Sequence, residues 1–314
     1  MTGKLTTVVA ADISERPISA KAAAGMSMHW LPLIVLPAGV LLLFPASQPR
    51  WAIMWTLSVA VFAGCKWLTW ATASPTDAPG WRQVAYLLAW PGLDPNGFLR
   101  KPDLARVAAP TSGEWWFAAS KAVAGFALVF LVARRVPTAS PYLAGWLGMA
   151  GIVFCLHFGL LHLLSCAWRS IGIEARPLMH WPIAAISLAD FWANRWNTAF
   201  RDLTHRSLFR PLTLLIGARG ALLIGFLFSG VIHDVVISGS AGAGWGLPTL
   251  FFVIQATGIF FERSKLGKHF GLARGWRGWL FAALLLIVPA PLLFTPVFVE
   301  RIVLPFLQAI GAIS

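Results

Sequence analysis

Hydrophobic residues in this chain come in long, nearly unbroken runs separated by shorter polar stretches. A helix that crosses a bilayer needs about 20 mostly apolar residues. Runs of that kind occupy 29–46, 51–71, 115–133, 142–166, 217–238, 247–262 and 278–295, and a weaker one at 297–312 is interrupted by Glu300, Arg301 and Pro305. The pattern predicts an all-α integral membrane protein, a helical bundle of about seven to nine spans. Pro37, Pro289 and Pro291 fall inside runs and are expected to kink them.

Two stretches between the runs fit neither a loop nor a span. Residues 81–99, WRQVAYLLAWPGLDPNGFL, are broken by Pro91 and Pro95. Residues 174–212 interleave tryptophans, arginines and polar side chains, as interfacial or re-entrant helices do. Such helices, arranged around a central chamber, complete the expected architecture. Residues 1–27 are polar and lack the apolar core of a cleavable signal, so they read as a disordered cytoplasmic tail. Residues 28–314 then form a single transmembrane domain.

Composition strengthens this picture. Hydrophobic residues make up 58% of the chain and charged ones 12%, and the mean hydropathy is +0.71. Soluble domains carry about 25% charged residues, so a water-soluble fold is excluded. The net charge of +13 points to cytoplasmic loops facing anionic lipid rather than to nucleic acid. Segments 72–114, 167–216 and 263–277 hold the basic residues and are expected on the cytoplasmic side, with the uncharged turn 239–246 opposite. Short tails and compact loops suggest a bacterial cytoplasmic membrane, or the endoplasmic reticulum in a eukaryote. Cys65, Cys155 and Cys166 have neither disulfide nor zinc spacing.

Candidate chemistry is confined to a few polar residues inside apolar surroundings. Ser187 followed by Asp190 resembles a capping box that starts a helix. Continued at about 100° per residue, that helix places Asp190, Asn194, Asn197 and Arg201 on one stripe and Trp192, Trp196 and Phe200 opposite. The stripe fits an interfacial helix wetted on one side as well as it fits a site. His233 and Asp234 sit in the otherwise apolar run ALLIGFLFSGVIHDVVIS. Ionisable groups near mid-bilayer are expensive and usually functional, although a histidine bonded between helices for packing has the same appearance. Ser229, one turn earlier, is placed to hold the His233 ring. His157 and His162, five apart in HFGLLH, face different directions and do not suggest a metal site. His29, His180, His205 and His269 lie near membrane ends. No phosphate-binding GxxxxGK[ST], G-x-S-x-G elbow or HxxxxD motif is present.

Three segments in order resemble the membrane-bound O-acyltransferase superfamily, in its wax synthase-like branch: YLLAWPGLDPNGFL at 86–99, SLADFWANRWNTAFRDLTHRSLFRPL at 187–212 and FSGVIHDVVIS at 228–238. The resemblance implies that His233 is the catalytic histidine and Asn197 its polar partner. It implies transfer of a fatty acyl group from a thioester, acyl-CoA, to a hydroxyl acceptor, most simply a long-chain alcohol. Sterols, diacylglycerol and other alcohols remain alternative acceptors, and a non-catalytic lipid-binding or transport protein is the alternative class. Arg195, Arg201, Arg206 and Arg210 form a candidate phosphate-binding set, or simply arginines at an interface. Asp190, Asn194, Trp196, Ser229 and Asp234 are the remaining candidates for the substrate site. The implied partners are acyl-CoA, a lipid or alcohol acceptor and membrane lipids, with no metal and no cofactor beyond the co-substrate.

Overall fold

The computed structural model describes residues 28–73, 77–105 and 107–313. The proposed tail, 1–27, lies outside the described residues. Among them the structure is helical throughout, with no strand. In chain order the helices are α1 (Leu31–Leu43), α2 (Arg50–Ala71), α3 (Gly80–Ala89), α4 (Pro95–Leu99), α5 (Ser112–Arg135), α6 (Pro141–Ser170) and α7 (Leu188–Asp190, continued by a wide turn over Phe191–Arg195). They are followed by α8 (Thr198–Ala241), α9 (Leu247–Arg263), a short helix at Lys265–His269, α10 (Gly275–Leu293) and α11, built of Pro296–Phe298, Val299–Val303 and Leu304–Ala309.

Prolines set many of the starts. Pro49 and Pro79 are the residues just before α2 and α3, while α1, α4, α6, α9 and α11 carry a proline in their first turn, where a missing N–H costs nothing. The α5 start is instead a side-chain cap, Thr111 accepting from the Glu114 N–H at 3.1 Å. The α5–α6 pair is close because its facing residues are small: a methyl placed on Gly159 meets the Ala122 Cα at 2.5 Å.

Among the described residues, α2, α5, α6, α8 and α10 are long and apolar enough to cross a membrane. That is five, against an expectation of seven to nine. The difference lies in α1, only 13 residues, α9, only 17, and the C-terminal run, which α11 divides into short pieces. The chain is an integral membrane protein. Its outward side chains agree: Leu42, Leu215, Ile287 and Val288 are each at least 70% exposed, a costly arrangement in water and a neutral one in lipid.

Residues 81–99 form a buried dock rather than a span. The Lys66 ammonium of α2 donates to the Gly92 carbonyl at 2.6 Å and lies 3.4 Å from the centre of the Tyr86 ring. The Tyr86 hydroxyl pairs with Thr69 at 2.7 Å. Buried Arg82 donates to the carbonyls of Phe98 and Arg100. Trp168 of α6 donates to Ala89 O at 3.1 Å and meets Phe98 edge-on at 5.1 Å. The AWPG turn is thus tied to α2 and α6, and it presents Pro91 and Leu93 to a central cavity.

Candidate active site

The stripe expected on one continuous helix is not formed. After Arg195 the backbone turns extended at Trp196 and left-handed at Asn197 (φ 42°). Asn is one of the few side chains that tolerates this region. Here its Oδ1 accepts from the Phe200 N–H at 3.2 Å and so caps α8. Asp190 and Asn194 stay on the first helix and bond each other at 2.9 Å. The helix start itself is as expected, with Ser187 accepting from the Asp190 N–H at 3.0 Å. The reciprocal bond runs from the Ile186 N–H to Asp190, at 3.2 Å. Burial works to raise the Asp190 carboxyl, but its bonds to Asn194, Arg195 and Ile186 hold it below the ordinary carboxylate value.

Helix α8 supplies the second half of the site, with a kink inside it. Gly217 has φ 73° and ψ 167°, a break only glycine makes readily. Phe200 stacks on Phe228 with ring centres 6.0 Å apart, and both arms contribute to the wall of one cavity. Asn197 and His233, one from each arm, both face the cavity between them.

His233 Nδ1 lies 2.7 Å from the Ser229 carbonyl oxygen, and its ring centre lies 4.6 Å from that of Phe252. A carbonyl only accepts, so in the neutral ring Nδ1 carries the proton and Nε2 keeps its lone pair. Ser229 therefore holds the ring through its backbone, not its hydroxyl. Asp234, the next residue, has a different setting. Its oxygens accept from Ser238 Oγ and the Gly246 N–H, both at 2.9 Å, from the Thr249 N–H at 3.1 Å and from the Thr249 hydroxyl. It fastens the end of α8 to the start of α9.

His233, Ser229, Asn197, Trp196 and Arg201 all line one cavity of about 600 Å³ whose wall is mostly apolar. Asp190, Asn194, Arg195, Arg206, Arg210 and Asp234 are not on its wall. Arg195 is bonded to Asp190 at 2.6 Å, Arg206 to Asp94 at 2.6 Å, and Arg210 is exposed. Arg201 bonds the Ala193 carbonyl at 2.6 Å and Asp202 at 2.5 Å. Three cavity groups escape a sequence reading: His157 on α6, His205 on α8 and Arg263 at the end of α9. Nothing local marks them, because only the packing of distant helices turns them inward. His180 stands near the arginines instead; burial, then the charges of Arg195, Arg201 and Arg176, push its imidazole below the ordinary value.

Glu114, His162 and Cys166 also approach one another closely, within 4.8 Å. The Glu114 oxygen that meets His162 at 2.9 Å is bonded to Arg169 as well, and Lys121 lies 2.7 Å from the other His162 nitrogen. With two cations already seated there, this is an ion network joining α5 to α6, not a fit for a metal ion.

Residues 175–254 match the membrane bound O-acyl transferase family. That span runs from before α7 into α9 and contains both Asn197 and His233. The chain is also 29% identical over 170 residues to a probable long-chain-alcohol O-fatty-acyltransferase 7 of Arabidopsis thaliana, covering 46% of this chain and 49% of that protein. A long-chain-alcohol O-fatty-acyltransferase of Simmondsia chinensis is 28% identical over 98 residues, 27% of this chain and 28% of the relative. A second Arabidopsis thaliana relative, probable long-chain-alcohol O-fatty-acyltransferase 9, is 28% identical over 153 residues, 44% and 43% of the two chains. The chain spans at most about half the length of these relatives.

Proposed function

We propose that this chain is a membrane-embedded O-acyltransferase that moves a fatty acyl group from acyl-CoA to a long-chain alcohol, giving a wax ester. The observation that carries this reading is His233. Its ring is fixed through Nδ1 to a carbonyl, and it lines an apolar cavity shared with Asn197. The family match over residues 175–254 and the names of the relatives support the reaction class and the acceptor.

In this reading both tails lie in the apolar cavity and the bilayer. Nε2 of His233 takes the hydroxyl proton as the alcohol oxygen attacks the thioester carbonyl. General-base help of this kind is worth about 10²–10⁴-fold. Asn197 uses Oδ1 to cap α8, which leaves its Nδ2 hydrogens to donate to the developing oxyanion. The tetrahedral intermediate then collapses, the C–S bond breaks, and the CoA thiolate takes the proton back from the imidazolium. An apolar chamber keeps water from intercepting the thioester. Arg201 and Arg263, which both reach the cavity, are the cations placed to meet the phosphates of the donor. Arg195 and Arg206 serve mainly to hold Asp190 and Asp94.

The test is thiol release from palmitoyl-CoA by the purified protein in proteoliposomes. Release that depends on added hexadecanol, with hexadecyl palmitate found by mass spectrometry, is expected. Release that ignores every added alcohol, or none at all, would overturn the proposal.

A further inference from the structure

His157 lines the same cavity as His233 and Asn197, from a different helix, and nothing in the mechanism above uses it. Its Nδ1 is enclosed and has no hydrogen-bond partner among the described residues. An enclosed Nδ1 is out of reach of a ligand, so Nε2, which is neither enclosed nor bonded, is the nitrogen left to meet one in the cavity. The surroundings offer little else: its α6 neighbour Leu161 lines the cavity with Val61, Cys65 and Leu178, none of which offers it a strong hydrogen-bond partner. The next residue, Phe158, meets Trp196 with ring centres 6.1 Å apart. Trp196 and Asn197 line the same cavity as His157, and His233 packs on Phe252.

Counting donors and acceptors narrows what it binds. With Nδ1 donating to Ser229, His233 offers the acceptor alcohol a lone pair only. Asn197, with Oδ1 engaged, offers donors to the thioester carbonyl. The alcohol oxygen then lacks a donor of its own, and a neutral imidazole carries one N–H. We propose that His157 donates a hydrogen bond to the hydroxyl oxygen of the acceptor alcohol and positions it for attack. This rests on the acyl-transfer reading above.

The experiment is steady-state kinetics of His157→Leu and His157→Gln in proteoliposomes, with hexadecanol and palmitoyl-CoA varied separately. His157→Leu is expected to raise the KM for alcohol by roughly tenfold, the loss of one hydrogen bond, with kcat and the KM for palmitoyl-CoA little changed. His157→Gln, which retains a donor, is expected to recover most of the alcohol affinity. An alcohol KM indifferent to residue 157 overturns the inference and leaves a water-filled or merely packed histidine. A fall in kcat with unchanged KM for alcohol also overturns it. Should His157→Leu not purify as a folded species, His157→Met, closer in length, takes its place with the same two outcomes. Absence of alcohol-dependent thiol release in the unaltered protein would instead defeat the acyl-transfer reading, so the two failures are distinguishable.

Discussion

The AWPG dock and the His233 helix are both polar islands in an apolar chain, yet they treat their polar groups differently. In the dock, Lys66, Tyr86 and Thr69 are bound to one another or to backbone carbonyls. On the helix, His233 is bonded on one side of its ring only, while Asp234 beside it accepts from four donors. Polarity inside a membrane protein therefore has two uses, and the sequence shows only that it is present. Which use applies depends on whether a polar atom keeps free valence toward a space that a substrate can enter.

Four substitutions separate the two uses. The largest effect is expected from Asn197→Asp. It keeps the capping oxygen and a side chain that tolerates the left-handed backbone, but removes the Nδ2 donor. Turnover should fall by about 10²–10³-fold, with thermal stability in detergent near that of the unaltered protein; unchanged turnover would take Asn197 out of the chemistry. Next comes Asp234→Ala, which orphans the donors at the start of α9. It should cost about 3 kcal/mol of stability, read as a lower unfolding midpoint, and a protein of full stability with lost turnover would move Asp234 into the mechanism. Tyr86→Phe, which deletes one bond in the dock, should cost about 1 kcal/mol and leave kcat alone. Arg206→Ala, breaking a half-exposed pair with Asp94, is expected to cost no more than about 1 kcal/mol. A strong rise in the KM for palmitoyl-CoA would show that Arg206 reads the donor after all.

Much of the bundle is legible from hydropathy alone. The runs at 51–71, 115–133 and 142–166 correspond to α2, α5 and α6, because a lipid-crossing helix must be apolar along its whole length. The geometry of the site is less legible. Helical periodicity through RWNTAF suggests a continuous stripe, and no glycine or proline marks the break; Asn197 makes it alone. Gly217 is visible as a residue, but whether it bends or reverses the chain depends on what the arms pack against, and the Phe200–Phe228 stack is invisible at 28 residues' separation. His233 stands out because its immediate surroundings are apolar. His157 does not, because its significance comes from a cavity it shares with residues far away in sequence, Val61, Leu178 and Asn197 among them.

The most direct test of the account is single-turnover transfer by His233→Ala, loaded with radiolabelled palmitoyl-CoA and mixed with excess hexadecanol. The prediction is donor binding close to that of the unaltered protein, with ester formation slowed by at least about 10²-fold. Ester appearing at a near-normal rate would contradict it, and the apolar cavity would then need a different base.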